Sequence, residues 1–199
     1  MGAMFAVLIF SLTAEDDEHE MVRKPFIPQI GQLMIAVPHV VKSLIAEFFG
    51  TMFLVMAVAL SVAGAGGAIA IGLSLTVMIY TFGHVSGAHF NPAVTAAIFA
   101  RGNHNIEILD AFGYMISQIL GGFMGAGIAK DALEYYHNGT QSINYPKLAG
   151  GAGEFTGLIV EILGTFTLAS VVLNVATTKA QAHNSHFGAA IGLTVTAWA

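Results

Sequence analysis

The sequence has no cysteine, a single tryptophan and few charges, with Asp, Glu, Lys and Arg making up 10% of its 199 residues. The absence of cysteine excludes disulfides, thiolate metal sites and a Cys nucleophile, and leaves the redox compartment open. Soluble domains average about 25% charged residues. A shortage on this scale, with 55% hydrophobic residues and a mean hydropathy of +0.72, marks a membrane protein. The net charge of -5 says little about partners, because Glu15, Asp16, Asp17, Glu18 and Glu20 crowd one short run. Lys and Arg are nowhere dense enough for nucleic acid. The widest gap is the most informative: from Phe48 to Ala100 there is no Asp, Glu, Lys or Arg.

That uncharged run is too long for two membrane spans of roughly 20 residues and too short for three. Two spans and a short piece that dips in and returns account for it. The dipping piece is placed by Asn91-Pro92. Asn is a strong helix N-cap, Pro is favoured at the first helical position, and Ala93 to Ala100 reads as apolar helix. A helix of about ten residues covers about 15 Å, half the hydrocarbon thickness. Its N-terminus then lies near the midplane, with its positive dipole end and the Asn91 amide facing whatever passes. Irregular backbone at that depth survives only in protein or along a water-filled path. Gly87, Ala88 and His89, just before the cap, are therefore expected to offer carbonyls to that path.

The stretch Ser86-Gly87-Ala88-His89-Phe90-Asn91-Pro92-Ala93-Val94-Thr95 closely resembles the first signature loop of the aquaporin, or major intrinsic protein, family. The resemblance implies six spans, two Asn-Pro-Ala loops meeting back to back, a homotetramer with one pore per subunit, and no cofactor. Along the chain, residues 1–42 read as an N-terminal cytoplasmic extension and residues 43–199 as the membrane domain. Spans are expected at about Ser43–Ala65, Ala68–His84, Ile108–Ala129 and Phe155–Ala176, and a fifth opens near Phe187. Alternating them puts Arg23, Lys24, Lys42, Arg101 and Lys179 on one side, against Lys130 and Lys147 on the other. The positive-inside rule then sets the N-terminus in the cytoplasm. Asn138-Gly139-Thr140 falls outside and reads as an N-glycosylation acceptor.

The membrane domain contains a repeat. Glu47-Phe48-Phe49-Gly50-Thr51 recurs as Glu161-Ile162-Leu163-Gly164-Thr165, and Ala70-Ile71-Gly72-Leu73-Ser74 as Ala190-Ile191-Gly192-Leu193-Thr194. The first repeat covers about 43–130 and an incomplete second about 155–199. Their first spans start on opposite sides, so the repeats are inverted, an arrangement that places a permeation site near the midplane. The same offset puts a second half-helix near position 211, beyond Ala199. The expectation is either a piece of a longer protein or a member without the second half of its pore.

A pore for small neutral solutes needs a narrow, largely apolar wall with a few donors and acceptors. Asn91, Pro92, Ala93, Gly87, Ala88 and His89 form the candidate pore. The repeat-equivalent carboxylates Glu47 and Glu161 read as braces for re-entrant backbone, a role the resemblance also implies. His89 is expected to hold its ring as a packed strut. His84 and His89 lack a third ligand for zinc, and Ser86 lacks the partners of a hydrolase. By family spacing the constriction positions fall on Ile71 and Ala199. Where water-selective members carry an aromatic, Ile71 points to glycerol, urea or ammonia as well as water. His183 and His186 lie in a cytoplasmic turn of the kind that closes some plant members at acid pH.

The sequence thus predicts an all-α, polytopic transmembrane bundle acting as a passive channel, surrounded by membrane lipid, and not an enzyme. A non-conducting truncated member is the first alternative. An ion-coupled secondary transporter is the second, but it needs an ionisable group beside the half-helix, where His is the sole candidate type.

Overall fold

A computed structural model describes residues 37–61, 65–102, 106–137 and 153–199. Within these residues there are six α-helices and no strand. They are α1 (His39–Leu60), α2 (Ala65–Ser86), α3 (Pro92–Arg101), α4 (Ile108–His137), α5 (Glu154–Val175) and α6 (Phe187–Trp198). A single 3₁₀ turn, Lys179–Gln181, sits between α5 and α6. Four of the helices, α1, α2, α4 and α5, are long and apolar enough to cross a membrane. The α3 helix has 10 residues, the length expected of a half-span. Most of the proposed extension and the proposed acceptor Asn138 lie outside the described residues.

Several boundaries differ from the sequence reading: α1 ends at Leu60, short of Ala65, and two further shifts concern charged residues. Helix α1 starts at His39, directly after Pro38 at its N-cap, and not at Ser43. Lys42 therefore belongs to the helix and is buried, where the sequence reading gave it to the extension. Helix α4 runs past Ala129 through Lys130, Asp131 and Glu134 to His137. Its 30 residues cover about 45 Å, more than the hydrocarbon core. Helix ends follow backbone capping and local propensity, and Lys, Ala, Leu and Glu are all good helix formers. At the end of α4 the first charge, Lys130, marks where the hydrocarbon stops, and the helix continues with exposed charged residues.

Glycines set the closest packing. Along α4, Gly121 and Gly125 lie against the α1 backbone at Phe48 and Met52, so a Cβ at either would collide with a main-chain carbonyl. Small residues four apart give helices this approach in a membrane. Helices α2 and α6 cross at Gly72 and Gly192, where a Cβ on each would meet the carbonyl oxygen of the other. A Cβ on Gly72 would also meet Thr196, and one on Gly192 would meet Thr76. These pairs are repeat equivalents, so the inverted repeats touch each other at corresponding positions.

The buried core lies between α2, α3, α5 and α6, and includes Leu75, Ile79, Phe82, Phe90, Val94, Ile98, Val172 and Ile191. The outward faces of α4 and α5 are apolar as well: Leu109 is 78% exposed, Phe123 74% and Phe155 75%. A bundle that is apolar both inside and outside is built for a lipid surround.

Candidate functional site

Residues 87–90 connect α2 to α3 in a conformation that costs backbone energy. Gly87, Ala88 and Phe90 all have positive φ, at 83°, 52° and 48°. Glycine adopts this region freely, but a residue as bulky as Phe persists there only when its surroundings hold it. Glu47, fully buried on α1, supplies that hold. Its Oε1 accepts from Ser86 Oγ at 2.6 Å and from the His89 N–H at 2.9 Å. Its Oε2 accepts from the Phe90 N–H at 2.7 Å and from Gln118 Nε2 at 2.8 Å. Four donors from three parts of the chain converge on one carboxylate.

Neighbouring residues complete the clamp. Ser43 Oγ donates to the Val85 carbonyl at 3.0 Å and Tyr114 Oη to the Ser86 carbonyl at 2.9 Å. Ser86 Oγ also accepts from the Ala88 N–H at 3.0 Å. On the Phe90 side the ring packs so tightly on α1 that a Cβ on Gly50 would fall inside it. His89 keeps its Nδ1 within 3.2 Å of Thr95 Oγ1 and its ring edge-on to Tyr114, with centroids 5.1 Å apart. Its ring is a strut. Among the described residues no donor reaches the carbonyls of Gly87, Ala88 or His89.

Helix α3 then begins as its cap dictates. Asn91 Oδ1 accepts from the Ala93 N–H at 2.8 Å, with Pro92 at the first helical position. Capping uses the side-chain oxygen, and Nδ2 has no partner among the described residues. A donor pair is thereby left at the positive end of a short helix. At the other end, Arg101 donates from Nη1 to the Leu173 carbonyl at 3.0 Å, tying the half-helix to α5.

Two cavities lie on either side of this loop. The first, about 550 Å³, is lined by His39, His84, Ser86, Gly87 and Tyr114 and by Thr177, Thr178 and Lys179 of the turn after α5. The second, about 420 Å³, is lined by Asn91, Pro92, Thr51, Gln118 and Ile71 and by an apolar wall. Ala88, His89, Val172 and Ile191 line both. The half-helix N-terminus and the strained loop thus stand where the linings of two hollows meet.

The structure brings together Gly87, Ala88, His89, Asn91, Pro92, Ile71 and Glu47. Other expected residues sit elsewhere. Ala93 is exposed on α3 and lines neither cavity, and Ala199 stands at the exposed end of α6, also outside both linings. Glu161 is exposed on α5, and no donor reaches it among the described residues, whereas its repeat counterpart Glu47 is enclosed. His183 and His186 are exposed in the turn and line neither cavity. Ser43, Thr95, Tyr114 and Gln118 were not expected at the site from sequence. The signal that marks Gln118 is a polar side chain near the middle of an apolar span.

A transmembrane bundle whose half-helix is braced at mid-depth between two hollows defines a class of membrane protein with a re-entrant loop. The model of the major intrinsic protein family matches residues 34–199. The chain belongs to that family and is an integral membrane protein. It is 37% identical to glycerol uptake facilitator protein-like 6 of Lactiplantibacillus plantarum, over 76% of this chain and 70% of that one. It is 36% identical to aquaporin NIP1-1 of Zea mays, over 82% of this chain and 58% of the relative. With aquaporin NIP1-2 of Arabidopsis thaliana it shares 34% identity, over 87% of this chain and 62% of the relative. The chain thus spans between somewhat over half and 70% of the length of these relatives.

Proposed function

We propose that this protein contributes to a passive membrane channel for water and small uncharged solutes, glycerol, urea or ammonia among them. The observation that carries this reading is the braced half-helix: among the described residues the Asn91 amide nitrogen and the three carbonyls before it have no partner, where two cavities share a wall. Donor and acceptor groups so spaced replace part of a solute's hydration shell, while the apolar wall excludes anything needing more. The positive end of α3 disfavours cations beside the wall that the two cavities share. Ile71, buried and lining the second cavity, gives the constriction an aliphatic wall. Names of relatives that include both a glycerol facilitator and aquaporins agree with a mixed solute range.

In the proposed arrangement the N-terminus is cytoplasmic. In its support, Lys42, Arg101 and Lys179 fall at one end of the bundle, on the side of the first cavity, and Lys130 falls past the opposite end. Four copies assemble through parts of the apolar outer surface, with lipid on the rest. His183 and His186 remain candidate gating residues of the cytoplasmic turn. Stopped-flow light scattering on proteoliposomes tests the central claim. Osmotic water flow and glycerol or urea uptake above those of empty vesicles are expected. Water flow alone removes the solute assignment, and neither flow leaves a non-conducting member of the family.

A further inference from the structure

The second cavity contains a feature that the brace does not explain. Thr51 is 6% exposed and Gln118 1% exposed, and both line this cavity. Among the described residues, Thr51 Oγ1 and Gln118 Oε1 have no hydrogen-bond partner. Their geometry is not that of idle groups. Both amide hydrogens of Gln118 are in use, one to Glu47 Oε2 at 2.8 Å and one to Thr95 Oγ1 at 2.9 Å. These bonds fix which end of the amide carries the oxygen, and that oxygen is left as a bare acceptor. Thr51 lies one helical turn beyond Glu47 on α1, on the same face. A threonine in that position commonly returns its hydroxyl to the carbonyl four residues back, as Thr76 does to Gly72 at 2.9 Å. Thr51 does not.

We propose that Thr51 Oγ1 and Gln118 Oε1 together form a binding site for one small neutral hydrogen-bond donor, beside the brace and inside the second cavity. The acceptor on Gln118 requires a donor, and the threonine hydroxyl both gives and takes, so a molecule carrying its own O–H or N–H satisfies both. The remaining wall is mostly aliphatic, from Leu54, Val55, Val58, Ile119 and Val195. Apolar cavity walls do not hold water, and a buried water settles where it finds two or more polar partners. A charged ligand is disfavoured, because among the described residues no Lys, Arg, Asp or Glu lines the cavity and an unpaired buried charge is costly. Two sources supply this chemistry: a resident water that completes the Glu47–Gln118–Thr95 network, or a permeating solute that pauses there. The second source rests on the channel reading and the first does not.

The test is Thr51→Val, which keeps the volume and removes the hydroxyl, with Thr51→Ser as the control that keeps it. Each variant is purified in detergent for thermal unfolding and reconstituted for stopped-flow flux. An orphan hydroxyl is a liability, so without a ligand Thr51→Val leaves the unfolding temperature unchanged or raises it. With a ligand, Thr51→Val breaks a bridge, and the temperature falls by about 2–4 °C while Thr51→Ser restores most of it. A fall in temperature with flux per channel unchanged identifies a resident water. Altered glycerol or urea flux with water flow and temperature unchanged identifies a pause in the permeation path. If Thr51→Val matches or exceeds the parent in temperature and leaves every flux as it was, the site does not exist. The thermal arm needs no conduction, so failure of the channel assignment and failure of this site are separable.

Discussion

At the scale of single residues the site depends on one carboxylate more than on the motif that announces it. Asn91 and Pro92 act locally, capping and starting a helix, but Phe90 at φ 48° is held by Glu47 from another element. Replacing Glu47 by Gln puts an amide nitrogen where an oxygen accepted two bonds, which sets at least one backbone N–H, that of His89 or of Phe90, donor against donor. Each buried donor orphaned in this way costs about 1–3 kcal/mol. Glu47→Gln is accordingly expected to lower the unfolding temperature by several degrees and to reduce flux per molecule. Circular dichroism melts and stopped-flow on matched protein amounts check it. Glu47→Asp, which keeps both oxygens but shortens the reach, is expected to lose less stability and similar flux. What was legible in the sequence follows the same division. The half-helix could be read because a cap is written in adjacent residues, and Glu47 because its surroundings recur at Glu161. Tyr114 and Gln118 could not be placed, because they approach the loop from a helix some thirty positions later, and nothing local to either residue names its partner. Glu161, the repeat counterpart of Glu47, is exposed and meets no donor among the described residues, and its role as a brace stands as a proposal.

At the scale of elements the crossing of α2 and α6 is the strictest contact, and the repeat explains why. Gly72 and Gly192 face each other's carbonyls, with Thr196 and Thr76 filling the corners, so the two helices cannot separate at one position without separating at both. A methyl at Gly72 has no flexible side chain to displace on the carbonyl side. Overpacking of this kind typically costs about 1–3 kcal/mol. Gly72→Ala is expected to fall in that range, and Gly192→Ala to match it, each read as a lower unfolding temperature. Gly127 provides the contrast: it lies on α4 with nothing near its Cβ position, so Gly127→Ala is expected to be neutral or to gain about 0.5–1 kcal/mol from helix propensity. Equal melting temperatures for the three variants contradict the crossing. The order and number of spans were readable because hydropathy counts turns through lipid. Their ends were not, since hydropathy reports the edge of the hydrocarbon and the end of a helix depends on capping. That is why helices α1 and α4 extend past Lys42 and Ala129, where the expected spans stopped.

For the whole molecule the question is whether transport draws on an ion gradient, since inverted repeats and broken helices serve transporters as well as channels. A coupled carrier needs an ionisable group that meets both solute and solvent and changes partners during the cycle. Among the described residues lining the two cavities, Lys179 is the one Lys, Arg, Asp or Glu, and it stands in the turn after α5, far along the chain from Asn91. Glu47 is the nearest carboxylate in the packing, but it has no exposed surface, and its four accepted bonds hold the loop itself. Releasing it to carry a proton would release Phe90 and the half-helix with it. The α3 dipole adds a fixed positive end at the same depth, which repels sodium and hydronium alike. Solute entry is therefore expected to follow the solute gradient alone. In proteoliposomes, glycerol or urea uptake should keep the same initial rate with a proton gradient imposed, with a sodium gradient imposed, and with either collapsed by an ionophore. A rate that drops on collapse would mean that an ionisable group moves in the cycle, and Glu47 would then have to leave the brace to be that group.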